Sequence, residues 1–117
     1  MTPDELENRL IDFAVEIIDI SGNLKRNYAG THLSKQIVRS GTSPALNYGE
    51  ARGAESKRDF VHKIKISLKE LRETHISLRI IAKSGLVTKD KSKLDSALKE
   101  CNELISIFVA TTKTSGI

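Results

Sequence analysis

Apolar residues recur along this chain at helical spacing, and four such runs cover most of it. In the first, Leu6, Leu10, Phe13, Ile17, Ile20 and Leu24 follow one another at intervals of four, three, four, three and four. That period places all six on one stripe of a helix. Thr2-Pro3-Asp4-Glu5 supplies the start: Thr2 can cap, Pro3 loses no hydrogen bond in the first turn, and Glu5 completes a capping box. The pattern predicts a helix to about Arg26, with Asn27-Tyr28-Ala29-Gly30 as the turn. A second helix is expected from about Thr31 to Arg52, with Leu33, Ile37, Gly41, Pro44, Tyr48 and Ala51 inward and a kink at Pro44. The third has Ser56 as its cap, Val61, Ile64, Leu68, Leu71, His75, Leu78 and Ala82 as its stripe, and Gly85 as its left-handed stop. The fourth starts at Thr88, carries Leu94, Leu98, Cys101, Ile105 and Phe108, and frays over Thr111–Ile117.

Short connections between long helices favour antiparallel neighbours. The expected fold is all-α, an antiparallel up-down-up-down four-helix bundle, with residues 1–117 as one domain. Leu, Ile, Ala, Lys and Glu dominate, only two prolines occur, and no β-branched run reads as a strand.

Charge changes this picture. Residues 1–24 carry six acids and one base, whereas residues 25–93 carry sixteen Lys and Arg against six acids. The basic middle suits an anionic partner, or a self-complementary oligomer. The acidic start is the opposite of a secretory leader, and no apolar stretch is long enough to span a membrane. With its single cysteine, Cys101, the chain fits a reducing, cytoplasmic setting.

Rotation of ~100° per residue puts Arg58, His62, Lys65, Lys69, Arg72 and Arg79 in one sector of the third helix, off its core stripe. From Arg58 to Arg79 the rise is ~32 Å, an elongated ridge able to neutralise phosphates without reading bases. A solvated bundle face is the competing explanation. Ile66, Ile76 and Ile80 lie nearly opposite the core stripe, and Ile11, Val15 and Ile18 extend the apolar arc of the first helix. Apolar residues beyond the needs of one core predict self-association. On the second helix Gln36, Ser40, Ser43, Asn47 and Glu50 form a polar stripe, either a hydrogen-bonded seam or an exposed face.

Catalytic and metal chemistry find no pattern to rest on. His32, His62 and His75 occur on separate segments with no metal-binding spacing, and Cys101 falls on a core stripe. No catalytic residue, metal site or cofactor is expected, and a small enzyme built on Glu50 and a histidine is the least favoured reading.

The run from Gln36 to Gly53 resembles the signature of a bacterial family of four-helix bundles, the 23S rRNA-intervening-sequence proteins. The resemblance rests on Gln36, Arg39, Ser40, Ser43, Asn47 and Glu50, then Ser56 and Phe60, and on Ser67, Leu68, Glu70 and Leu71 in the third helix. It departs where the family has Glu-Gly, since Ala51 follows Glu50 and Gly53 comes later. The resemblance implies a ring-like homo-oligomer, commonly a pentamer. It also implies kinship with accessory proteins of diversity-generating retroelements, which bind nucleic acid and a reverse transcriptase through a basic surface. The function expected is a non-enzymatic oligomeric scaffold binding RNA, or DNA, through the third-helix ridge. A protein adaptor docking an acidic partner is the alternative.

Overall fold

In the computed structural model, which describes residues 1–114, four helices follow in order: α1 (Pro3–Ser21), α2 (Tyr28–Arg52), α3 (Lys57–Ser84) and α4 (Ser92–Thr114). They form an antiparallel bundle, 44 × 24 × 20 Å. Each helix packs on its neighbours in chain order, and α4 returns to α1 along the thinnest seam. Among the described residues the backbones of diagonal helices do not approach closely, so α1 and α3 occupy opposite corners.

The helix starts are local chemistry. Thr2 Oγ1 accepts from the Glu5 N–H, Asn27 Oδ1 from Gly30, and Ser56 Oγ from Asp59. Gly85 ends α3 at φ 68°, a left-handed conformation that favours glycine.

Four boundaries differ from the pattern. α1 stops at Ser21, not near Arg26, because the Gly22 N–H bonds back to Ile18 and Asp19 and the Asn23 amide caps the Asp19 carbonyl at 3.0 Å. Leu24 keeps its place in the apolar spacing and is buried, but from a connector. There Lys25 N–H donates to Leu86 O (2.8 Å) and Thr88 N–H to Asn23 O (2.9 Å), so Leu24 and Val87 bridge two loops. That bond holds Thr88 outside α4, which begins four residues later at Ser92. The presumed turn Tyr28-Ala29-Gly30 is instead the first turn of α2, and α2 runs on through Pro44. At the other end α4 stays helical to Thr114, past the expected fraying at Thr111; the rest of that tail lies outside the described residues.

The core gathers Leu6, Leu10, Phe13, Ile17 and Ile20 of α1 with Ile37, Tyr48 and Ala51 of α2. Ile64, Leu71, Leu78 and Ile81 of α3 meet Leu94, Ala97, Cys101, Leu104 and Phe108 of α4. Tyr48 and Phe108 pack edge to face, centroids 5.9 Å apart. Leu68, Ala82, Leu98 and Ile105, expected inside, are only partly buried. Each helix faces two neighbours, so its buried arc is wider than a single 3–4 stripe and is centred elsewhere.

Candidate nucleic-acid interface

The rotation of α3 is set on its α2 side. Ser67, Glu70, Thr74 and Ser77 are buried there, alongside fully buried Ser40 of α2. Small side chains let the helices approach, and their hydroxyls find partners. Thr74 Oγ1 lies 2.9 Å from Ser40 Oγ and 2.8 Å from the Glu70 carbonyl, and Ser67 Oγ lies 3.0 Å from the Lys63 carbonyl. At the rim of this seam Arg39 reaches across from α2. Its Nη1 donates to Glu70 Oε2 at 3.0 Å and its Nη2 to Glu73, which also accepts from Gln36 Nε2 at 3.1 Å.

The polar stripe of α2 is therefore a hydrogen-bonded seam over Gln36, Arg39 and Ser40. Further along it loosens: the Asn47 amide bonds Ser43 within its own helix, and exposed Glu50 meets Lys63 at 3.4 Å. Glu70, Thr74 and Ser77 belong to the seam although the apolar periodicity of α3 singles out none of them. Their spacing with Ser67 (three, four and three) was the available signal.

This clasp decides what α3 shows to solvent. It turns the helix's two central carboxylates, Glu70 and Glu73, toward α2 and pairs both with Arg39. Arg58, His62, Lys65, Lys69, Arg72 and Arg79 are all exposed on the opposite side. Among the described residues, none of these Lys and Arg side chains forms an ion pair with a carboxylate. Lys83 continues the same row, exposed and equally unpaired. A row of uncompensated cations on a straight helix creates a continuous positive field.

Ile76 stands in that row and Ile80 directly beside it. From Arg58 the exposed positions step through 62, 65, 69 and 72 to 76, 79 and 83, an unbroken alternation of four and three. Ile76 and Ile80 are 51% and 49% exposed, whereas Ile66 is turned toward α2 and partly covered. The stripe is thus cationic in its first half and mixed apolar and cationic in its second. On the opposite corner Ile11, Val15 and Ile18 are 46–61% exposed. Leu46 and Tyr28 of α2 are also exposed, two residues the periodicity did not single out.

Nucleophilic chemistry has no footing at Cys101. Its thiol is fully buried, lies 3.2 Å from the Leu71 carbonyl, and is pushed up to about 12 by burial and then by Glu100. His75 is half-buried, and burial, then the charge of Arg79, lowers its pKa. No group of three or more His, Cys, Asp or Glu able to hold a metal occurs among the described residues. No helix among them is long and apolar enough to cross a membrane. At the α1–α4 seam, Glu16 has one carboxylate oxygen buried without a hydrogen-bond partner. It sits in an open cleft beside Glu100, and burial, then Glu100, raises its pKa.

Comparison with known proteins agrees with this architecture. A family model described as 23S rRNA-intervening sequence protein matches residues 5–110. A crystal structure of a protein of unknown function from the S23 ribosomal protein family of Bacteroides thetaiotaomicron superposes with a TM-score of 0.84. The two are 29% identical, with 97% of this chain and 99% of that one covered. No curated protein matches the chain.

Proposed function

This chain belongs to the 23S rRNA-intervening sequence protein family, and from that footing we propose that it is a non-enzymatic, self-associating scaffold that holds nucleic acid, RNA in preference, on the α3 ridge. The observation that carries this reading is the ridge itself: Arg58, Lys65, Lys69, Arg72 and Arg79 are exposed, aligned and without carboxylate partners. Phosphates are the natural complement of such a row, because each contact releases condensed counterions. Neither tyrosine nor phenylalanine occurs in the exposed row, so bases find no stacking platform and little sequence preference is expected. Self-association would set several ridges side by side, and weak contacts then reinforce one another.

The test is retention of mixed-sequence RNA by the wild type and by an Arg58→Glu, Lys65→Glu, Lys69→Glu variant, three positions in the first half of the exposed row. The wild type binds with affinity falling steeply as salt rises, and the variant, still helical, does not bind. Retention indifferent to the triple change and to salt would overturn the reading in favour of a protein adaptor with an acidic partner.

A further inference from the structure

Two apolar patches are left on the outside of this bundle, and they differ in place and in charge. One is Ile11, Val15 and Ile18 on α1; the other is Ile76 and Ile80 on α3. Because α1 and α3 sit at opposite corners and each patch lies on the side of its helix away from the core, the patches face away from each other. We propose that they are the two halves of one interface: the α1 patch of one copy receives the Ile76–Ile80 patch of the next. This rests on the self-association in the reading above and adds which surfaces meet.

Charge and height both support the match. The α1 patch is flanked by the carboxylates of Glu7, Asp12 and Asp19. Glu7 shares Arg52 with Asp4, Asp19 meets Lys93 and, among the described residues, Asp12 has no ion pair, so the acids outnumber the bases there. The α3 patch is flanked by the unpaired cations Arg72, Arg79 and Lys83. Each patch meets its own charge sign if it pairs with itself, which costs attraction, and the opposite sign if it pairs with the other. At 1.5 Å per residue, Ile18 and Ile11 lie ~5 and ~15 Å below the end of α1, and Ile80 and Ile76 ~6 and ~12 Å below the end of α3. Those two helix ends are level, because the Leu24–Val87 bridge ties the loops that follow them. Copies standing side by side in the same orientation therefore bring the isoleucines to one height. Such pairing is heterologous, so each copy keeps one free patch until a ring closes. It covers only the second half of the α3 row and leaves Arg58, Lys65 and Lys69 open to a polyanion.

A complementation experiment tests this by light scattering. Ile76→Glu with Ile80→Glu removes one half, and Val15→Glu with Ile18→Glu removes the other. Each variant alone should be monomeric, and an equal mixture should double in mass to a one-to-one dimer. If either variant alone assembles like the wild type, that patch pairs elsewhere and the proposal fails. A mixture that stays monomeric overturns it too, while leaving wild-type assembly and RNA retention standing. A monomeric wild type would remove self-association itself. Circular dichroism confirms helicity, and should a glutamate variant lose it, serine at the same exposed positions carries the same expectation.

Discussion

Gly41 of α2 lies so close to Ile17 of α1 that a methyl group on its Cα would stand 2.7 Å from Ile17 Cγ2. The two backbones approach because position 41 has no side chain. Gly49, two turns on, has open space where its Cβ would be. The same substitution should therefore have opposite signs. Gly49→Ala gains helix propensity and stabilises by about 1 kcal/mol. Gly41→Ala meets a rigid β-branched neighbour and destabilises by about 1–3 kcal/mol. Urea denaturation of both variants checks this, and trimming Ile17 to Ala should remove most of the added penalty at position 41.

The clasp across α2 and α3 leads to a second contrast. Arg39→Ala leaves Glu70, a nearly buried carboxylate, without its cation and should cost about 1–3 kcal/mol. The Asn47 amide bonds only Ser43 in its own helix, so Asn47→Ala should cost less than about 1 kcal/mol. Equal melting temperatures for the two variants would show that the clasp contributes nothing.

Glu16 makes stability depend on pH. Its folded pKa is raised, so between the unfolded and folded values the native state binds the extra proton. Stability contributed by the protonated acid is present at low pH and falls as pH rises through the folded pKa. Glu16→Gln, neutral throughout, should raise the melting temperature at pH 7. That advantage should vanish below the usual carboxylate range. A gain that persists at acid pH would point to packing instead of charge.

Cys101 should resist alkylation in the folded protein at neutral pH, since a thiol pushed up to about 12 offers almost no thiolate. Labelling should follow unfolding, with the same urea midpoint as helix loss. Rapid labelling without denaturant would contradict the buried position.

How far the fold could be read from the residues differs by element. Caps at Thr2 and Ser56 and the stop at Gly85 are local chemistry, and those ends fall where the sequence puts them. The end of α1 and the start of α4 depend on bonds between Asn23 and Thr88, which no local pattern contains. Leu24 shows why: it continues a perfect apolar spacing, yet its burial comes from the facing loop. The ridge was legible because exposed cations repeat at helical spacing. The partnership of Arg39 with Glu70 and Glu73 was not, because it joins two helices. Spacing alone does place Ile76 between Arg72 and Arg79 in the cationic row; that the whole row faces solvent depends on where the buried arc of α3 is centred.

The bridge between residues 23–25 and 86–88 gives the bundle two unlike ends. At one end, two loops that would ordinarily exchange their amide hydrogens within moments are stitched together by backbone bonds between distant parts of the chain. At the other end, among the described residues, stand the turn after Arg52, the capped starts of α1 and α3 and the last turn of α4. Arg52 reaches Asp4 and Glu7 there through exposed ion pairs that salt weakens. Thermal opening should therefore run like a clothes peg: the pinned end acts as the spring, and the jaws part where Pro3, Lys57 and Thr114 lie. Deuterium would enter the first turns of α1 and α3 well before it reached Lys25 or Thr88, although both of those lie in loops.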